Sequence, residues 1–332
     1  MKVLAVDAGR TGFRAAVFID TRRGPSCQFD SAATLVEPDG AQRVASSVDA
    51  ALRALGEDAV GGLDDIVIAA AGAFSRPDQA EALASVLADR AIAGRSVVIT
   101  SDAVAAHTGA FSGQAGVVLS AGTGAVACAI DASGAMTLVD GAGFLLGDSG
   151  GGFAVGRAGL GAALRHHDGR SGGSAQLASL AEEQFGPLTA LPGIVHAASA
   201  PARTVAGFVP AVAQAARDGD AVASAIWADA VAELAGTAIA ASAALPERER
   251  RIAVAGSLFD LTDLVAEPFS ATMAARAPGV SIRRTASDAT TGAYRLADAP
   301  AGVYENLLLR TTVKTTGMAS AASSTHRNSN QQ

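Results

Sequence analysis

The chain opens with Val3-Leu4-Ala5-Val6-Asp7-Ala8-Gly9-Arg10-Thr11, an apolar run that ends in an acidic, glycine-containing turn. Two further turns of this kind follow apolar runs, at Ser120-Ala121-Gly122-Thr123-Gly124 and at Ala255-Gly256-Ser257. Glycine lets the backbone approach a ligand closely, so that several N–H groups can converge on one anion. Three such turns at strand ends, with carboxylates between them, predict a nucleotide held between two lobes.

The composition indicates a folded globular protein that lacks the usual phosphate-binding lysine. The 332 residues are 49% apolar and 17% charged, and they suffice for two domains. Lys2 opens the first strand and Lys314 lies in a polar tail, and the sequence has no other lysine. A Walker loop and a protein-kinase site each need a lysine on the phosphates, so both are excluded. Phosphate chemistry must then use backbone amides, hydroxyls, carboxylates that hold a metal, and arginine.

Charge and cysteine content exclude two further classes. The net charge of −7 and the pI near 5.2 leave no basic stripe that would make nucleic acid a main partner. Cys27 and Cys128 are isolated within apolar sequence, so we expect neither a disulfide framework nor a metal cluster.

The hydropathy pattern predicts a cytoplasmic protein with no membrane partner. Asp7 and Arg10 interrupt the first apolar run too early for a signal peptide. The longest apolar helix candidate, residues 221–245, carries Asp229 and Glu233, and we interpret it as a core helix.

The order of elements predicts an α/β fold with mixed sheets. The pattern β-β-β-α-β-α-β-α occurs once, and a similar order returns with a helical insertion at about residues 150–245. We therefore expect an N-terminal domain over residues 1–115 and a larger C-terminal domain over residues 116–300. Residues 310–332 are rich in Thr, Ser and Asn, and they are expected to form a flexible tail.

Five motifs together resemble one protein family in their order and spacing. They are Asp7-Ala8-Gly9-Arg10-Thr11, Ser101-Asp102-Ala103, Ser120-Ala121-Gly122-Thr123-Gly124, Gly143-Phe144-Leu145-Leu146-Gly147-Asp148 and Val254-Ala255-Gly256-Ser257. These motifs are similar to those of the N-acetylglucosamine kinase family, which belongs to the BadF/BadG/BcrA/BcrD ATPase group of the actin–hexokinase–Hsp70 superfamily. The similarity covers residues 1–299, which is nearly the whole chain.

The resemblance implies two ribonuclease-H-like domains that close on ATP and Mg²⁺, in a protein that commonly forms a homodimer. It implies that Asp7 holds the metal through water, that Asp102 is the general base and contacts the sugar, and that Gly147 and Asp148 bind sugar hydroxyls. The remaining implied contacts are with the nucleotide: the phosphates lie on Gly9, Thr11, Gly122, Thr123 and Gly124, and the adenosine lies on Gly256 and Ser257.

The chemistry of phosphoryl transfer suits these groups, because the reaction depends on positioning and charge neutralisation. A carboxylate at Asp7 can orient hydrated Mg²⁺, which prefers oxygen ligands, and a base at Asp102 can accept the proton of the sugar's primary hydroxyl. Each residue also has a purely structural interpretation. In this interpretation Asp7 is a turn aspartate that caps local amides, Asp102 is a helix cap, Thr123 is part of a plain hairpin turn, and Asp148 caps the helix that follows.

The sequence departs from the family on the sugar side. Ala142 stands where an aromatic residue is common, and Ser149 stands where glutamate is common. The usual Gly-Asn sugar contact is not evident at residues 34–40, and the turn Ala71-Gly72-Ala73 has its hydroxyl only at Ser75. The phosphate turns are intact, so ATP use is better supported than the acceptor, which is N-acetylglucosamine, glucosamine or another hexose.

Two other functions are compatible with parts of the sequence. Gly147-Asp148-Ser149-Gly150-Gly151 also spells the nucleophile motif of chymotrypsin-like proteases, and Ala105-Ala106-His107 resembles their histidine segment, which makes a serine hydrolase that uses Ser149 a remote alternative. An ATPase activator or an ATP-binding sensor of the BadF group is the other alternative. The activators need cysteines for a bridging iron–sulfur cluster, and Cys27 and Cys128 are poorly placed for one.

Overall fold

The computed structural model describes residues 1–9, 12–29, 34–285, 287–298 and 301–313, which form two mixed β-sheets with helices around and between them. The strands are β1 (Lys2–Ala8), β2 (Phe13–Ile19), β3 (Arg22–Phe29), β4 (Asp65–Ala70), β5 (Ser96–Thr100), β6 (Gly116–Ala121), β7 (Ala125–Ile130), β8 (Met136–Asp140), β9 (Arg251–Ala255), β10 (Ser281–Arg284) and β11 (Leu309–Thr312). The helices are α1 (Gly40–Leu55), α2 (Glu57–Val60), α3 (Pro77–Asp89), α4 (Asp102–Phe111), α5 (Gly152–His167), α6 (Ala175–Phe185), α7 (Leu191–Ala197), α8 (Pro201–Ala206), α9 (Val209–Arg217), α10 (Ala221–Ala243), α11 (Glu267–Arg276) and α12 (Ala289–Arg295).

The first sheet has the order β11-β5-β4-β1-β2-β3. Strands β1, β4 and β5 run parallel, and their continuous apolar sequences are buried on both faces. Strand β3 lies at the edge, where exposed arginines and a Gly24-Pro25 pair suit a strand with one unpaired side. Helices α1 and α3 cover one face of this sheet through residues such as Val44 and Leu83.

The second sheet repeats the order of the first. It runs β10-β9-β6-β7-β8, so each of its strands corresponds to one of β5, β4, β1, β2 and β3 in the same position. Strands β1, β4 and β5 are parallel in the first sheet, as β6, β9 and β10 are in the second. In each sheet the next strand along the chain, β2 or β7, is antiparallel to β1 or β6. The predicted α/β class, with two ribonuclease-H-like units and mixed sheets, is confirmed by this duplicated topology.

Helices α4 and α12 lie between the two sheets and cross each other with very little space. A Cβ atom placed on Gly292 of α12 would lie 1.8 Å from the carbonyl oxygen of Ala105, and one on Gly109 of α4 would lie 3.0 Å from the hydroxyl of Ser287. The interlobe cluster that we define here includes Val3 and Val98 of the first sheet and Cys128 of the second, together with both helices. The lobes therefore share one buried layer at their junction.

Six helices, α5–α10, stand between β8 and β9 in the part of the chain that the structure describes, where the sequence predicted a helical insertion. Helix α10 is long and apolar enough to cross a membrane by composition, with a mean hydropathy of 1.3. Its side chains Trp227, Leu234 and Ala238 are nevertheless buried in the core of the second lobe. Asp220 caps its first turn by accepting a hydrogen bond from the amide of Ala223 at 2.8 Å.

The chain returns to the first lobe at its end. Strand β11 pairs antiparallel with β5, and the amide of Val313 donates to the carbonyl of Arg95 at 3.0 Å. The sequence predicted a tail from residue 310 onward, but residues 310–312 belong to β11 and Val313 is buried. The rest of the predicted tail, residues 314–332, lies outside the described residues.

Candidate functional site

The candidate site is formed where the carboxyl ends of parallel strands meet. In the first lobe the turns after β1, β4 and β5 lie at one edge of the sheet, because these strands are neighbours and parallel. In the second lobe the turns after β6 and β9 meet in the same way. Strand β8 also ends at this edge, because β7 is antiparallel to both β6 and β8, so that β6 and β8 run in the same direction. Both edges contain the motifs that the sequence singled out, as expected for ligand sites in open α/β sheets.

Asp7 lies at the end of β1 with only 6% of its surface exposed. Arg14, which is its pairing partner on β2, donates from Nη1 to Asp7 Oδ2 at 3.3 Å. Burial, together with the charge of Asp102, raises the pKa of Asp7 to about 7, although the Arg14 guanidinium opposes the shift. The amide of Gly9, two residues on, donates to the carbonyl of Gly12 at 3.1 Å. Thr11 lies outside the described residues.

Asp102 is the first residue of α4, and it does not cap this helix. Ser101 is the cap, since its hydroxyl accepts from the amide of Val104 at 3.2 Å. Asp102 accepts from the amide of Ala103 at 2.9 Å and is partly exposed. The carboxylate is thus held at the edge of the cleft by a helix that is capped independently, and it is close enough to Asp7 to raise the pKa of that residue.

The turn Gly122–Gly124 joins β6 to β7 and also contacts the start of α5. The amides of Gly152 and Phe153 donate to the carbonyls of Gly122 and Thr123 at 2.7 and 2.8 Å. A Cβ atom on Gly122 would meet no described heavy atom within 4 Å, so the outer side of this turn is open. The turn is therefore part of a hairpin, as the structural interpretation of Thr123 expects, and it is also accessible to an anion.

Asp148 lies against this turn. A Cβ atom on Gly124 would be 2.5 Å from Asp148 Oδ2, so the carboxylate occupies the space that glycine leaves. Asp148 is 3% exposed and adopts a left-handed backbone, with φ of 59°. It does not cap α5, whose cap residue is Gly151. The structure therefore places Asp148, which is predicted to bind the sugar, beside the turn that is predicted to bind phosphate, and Gly147 directly precedes Asp148.

Gly256 and Ser257 follow β9 and are exposed. Gly256 has φ of 95°, and a Cβ atom there would lie 2.2 Å from the carbonyl oxygen of Ala121. The third turn therefore contacts the second directly, through a glycine that no other residue can replace without strain. Their adjacency suits a single nucleotide that spans both turns.

The sequence matches the profile of the BadF/BadG/BcrA/BcrD ATPase family over residues 4–294. The chain belongs to this family. Its resemblance to the family, inferred from the five motifs, is thereby confirmed. No curated protein matches this sequence.

The fold is also similar to solved structures of sugar kinases. A protein from Chromobacterium violaceum, provisionally named an N-acetylglucosamine kinase, has a TM-score of 0.70 and 22% identity, and the match covers 90% of this chain and 99% of that chain. A protein from Porphyromonas gingivalis with the same provisional name has a TM-score of 0.63 and 19% identity, with coverage of 92% and 99%. A glucokinase of the ROK family from Streptomyces griseus, in complex with glucose and AMPPNP, has a TM-score of 0.57 and 17% identity, with coverage of 90% and 99%.

The resemblance implies bound Mg²⁺, and the residues at the end of β1 fit such a site. Among the described residues no group of three or more His, Cys, Asp or Glu side chains could hold a metal ion by itself. Mg²⁺ usually keeps several waters and binds one or two carboxylates together with phosphate oxygens. Asp7, buried beside the charge of Asp102, is a carboxylate whose ionised form a cation would stabilise.

The serine hydrolase alternative does not fit the structure. His107 is fully buried, and both of its ring nitrogens are occupied, by Tyr304 Oη and by the carbonyl oxygen of Gly116, each at 3.0 Å. A carbonyl only accepts, so Nε2 donates to Gly116 and Nδ1 accepts from Tyr304. Burial lowers the pKa of His107 to about 4. This histidine therefore has no nitrogen left to act as a base for Ser149.

Two residues at the site were missed by the sequence analysis. Arg14 lies on β2, three residues after the end of the first motif. Its contact with Asp7 depends on the register between β1 and β2, which no motif encodes. Asp140 accepts from the amides of Asp148 and Ser149 at 2.6 and 2.7 Å. The dipeptide Asp140-Gly141 is a turn signal that was available in the sequence.

Proposed function

We propose that the protein is an ATP-dependent sugar kinase that phosphorylates N-acetylglucosamine, or glucosamine, at the 6-hydroxyl. The observation that carries this proposal is the proximity of Asp7 and Asp102 at the carboxyl ends of β1 and β5, the two parallel strands on either side of β4. A kinase of this type needs one carboxylate for the metal and one for the hydroxyl. The glycine turns of the second lobe, at Gly122–Gly124 and Gly256, supply backbone for the phosphates and the nucleoside.

In the proposed reaction Asp102 accepts the proton of the primary hydroxyl as the hydroxyl oxygen bonds to the γ-phosphorus. The bond between the γ-phosphorus and the β–γ bridging oxygen breaks, and ADP leaves. Asp7 would hold Mg²⁺, which would neutralise charge on the phosphates when bound. Arg14 balances the charge of Asp7, and the amides of Thr123 and Gly124 would orient the phosphates, since the amide of Gly122 donates to the carbonyl of Gly124 at 2.9 Å.

The acceptor is the sugar that Asp148 and Gly147 would hold. Exposed apolar side chains stand in the loops of both edges, with Val36 57% and Phe74 40% exposed in the first lobe and Leu145 80% exposed in the second. An apolar border of this kind suits the methyl group of an N-acetyl substituent better than a free ammonium group. We therefore place N-acetylglucosamine before glucosamine. A homodimer in the cytoplasm is part of the same proposal, on the basis of the family resemblance.

The test is phosphoryl transfer from Mg-ATP to a panel of hexoses and hexosamines, followed by ADP release and by the mass of the sugar product. N-acetylglucosamine 6-phosphate is the expected product. ADP release that does not depend on any sugar would instead support an ATPase, and binding of ATP without turnover would support a sensor. Failure to bind ATP or ADP in the presence of magnesium, measured by calorimetry, would refute all three.

A further inference from the structure

The loop at residues 141–147 is closed at its base by one carboxylate. Asp140 ends β8, and its Oδ1 accepts from the amide of Asp148 at 2.6 Å while its Oδ2 accepts from the amide of Ser149 at 2.7 Å. Both oxygens are thus directed at backbone donors of the segment that returns from the loop. Gly147 makes this possible, because a Cβ atom there would lie 2.3 Å from Asp140 Oδ1.

We call the two hydrogen bonds that Asp140 accepts from Asp148 and Ser149 the clamp. The backbone on both sides of the clamp adopts a conformation that needs support. Asp140 has φ of 61° and Asp148 has φ of 59°, which is the left-handed region that residues other than glycine rarely occupy. Charge-assisted hydrogen bonds from two consecutive amides are strong enough to hold such a turn. The clamp is therefore what we expect to keep Asp148 in its observed conformation.

The clamp fixes the position of Asp148, the residue that is predicted to bind the acceptor sugar. With its backbone held, Asp148 directs its carboxylate against Gly124 of the second phosphate turn. The contacts of Gly152 and Phe153 with that turn are separate and do not involve Asp140. A change at Asp140 should therefore disturb Asp148 while the phosphate turn keeps its own support.

We propose that Asp140 is a positioning residue for acceptor binding, which acts by holding Asp148 in place and does not touch the sugar itself. This inference rests on the proposed function, since it assumes that Asp148 binds the acceptor. It adds a residue that lies outside the five motifs of the sequence.

The experiment compares Asp140→Ala and Asp140→Asn with a matched control, Asp131→Ala. Asp131 lies at the opposite end of the same hairpin, where its Oδ1 accepts from the amides of Ser133 and Ala135 at 2.8 and 3.0 Å. It is therefore also an aspartate that holds a turn, but it is remote from the cleft edge. Steady-state kinetics with N-acetylglucosamine and with ATP, and hydrogen exchange of individual amides, are measured for all three variants.

In Asp140→Ala we expect the KM for N-acetylglucosamine to rise at least about tenfold while the KM for ATP changes less than about twofold, because a small displacement of a positioning group costs much in binding. Asp140→Asn keeps one acceptor oxygen and should fall between this variant and the wild type. Exchange at the amides of Asp148 and Ser149 should speed up in Asp140→Ala. Asp131→Ala should change neither KM, although it should lose stability.

Three results would contradict parts of this reasoning separately. Wild-type protein that phosphorylates no sugar would refute the proposed function and the acceptor role of Asp148 together. Active wild type with unchanged sugar KM in both Asp140 variants would refute the inference alone. Equal rises in both KM values, or a rise in the Asp131→Ala control, would show that Asp140 acts only through general stability.

Discussion

Replacement of Asp7 by asparagine is expected to make the ligand-free protein more stable at alkaline pH and to abolish its activity. The carboxylate has an ordinary pKa of 3.8 and a pKa of about 7 in the folded protein, mainly because it is buried. The folded state therefore binds a proton that the unfolded state has already released. This contribution to stability is complete below pH 4, and it is lost as the pH rises through 7.

The magnitude follows from the shift. A difference of about 3 pKa units corresponds to about 4 kcal/mol at pH 8, where the folded carboxylate is mostly ionised. At pH 5 the folded carboxylate is protonated and less than half of this cost is present. Asparagine is neutral at both values. The stability gained by Asp7→Asn should therefore grow by roughly 2–3 kcal/mol between pH 5 and pH 8.

The assay is urea unfolding of both proteins at the two pH values, without nucleotide or metal. Asp131→Asn is the matched control, because hydrogen bonds from Ser133 lower the pKa of Asp131 and the same substitution should lose stability at pH 8. A gain for Asp7→Asn that does not depend on pH, or a loss at pH 8, would refute the reasoning. Added Mg-ADP should stabilise the wild type only.

Further outcomes are expected from other positions. Asp102→Asn should fold normally and lose at least about 10²-fold in kcat, and retention of most turnover would remove it from the mechanism. Gly292→Ala should destabilise by about 1–3 kcal/mol, since its Cβ would lie 1.8 Å from the carbonyl oxygen of Ala105. Gly236→Ala, within α10, meets no described atom within 4 Å and should instead stabilise by about 0.5–1 kcal/mol in thermal or urea unfolding. The pKa of His107 is lowered to about 4, so wild type should lose about 3 kcal/mol of unfolding free energy between pH 6.5 and pH 4 that His107→Gln does not lose.

Much of the fold was predictable because its strands are short apolar runs that end in glycine. The runs Val3–Val6 and Val117–Leu119 both lie in central strands, β1 and β6, which end at the turns predicted to bind phosphate. Strand β11 was not predictable in the same way. Its sequence, Leu-Arg-Thr-Thr, has little apolar character, and it is a strand because β5 offers an unpaired edge.

The candidate site was predictable in its motifs and not in its contacts. Spacing placed Asp102 after a strand, yet the helix cap turned out to be the preceding Ser101, since a hydroxyl there reaches the amide of Val104. The roles of Arg14 and Asp140 depend on which residues face each other across strands and loops. Register and loop closure of this kind are properties of the folded chain, and a linear pattern does not contain them.

Because the chain returns to the first lobe at its end, the protein cannot be cut into two fragments that each contain one complete lobe. Two segments cross between the lobes, one after α4 and one before β11, and they lie side by side because Tyr304 Oη accepts from the amide of Gly113 at 3.0 Å. A fragment that stopped at residue 115 would lack an outer strand of its sheet and helix α12, and it would expose the interlobe cluster to water. The two halves, although they repeat one strand order, therefore depend on each other to bury the interlobe cluster, and we expect them to fold as a single unit.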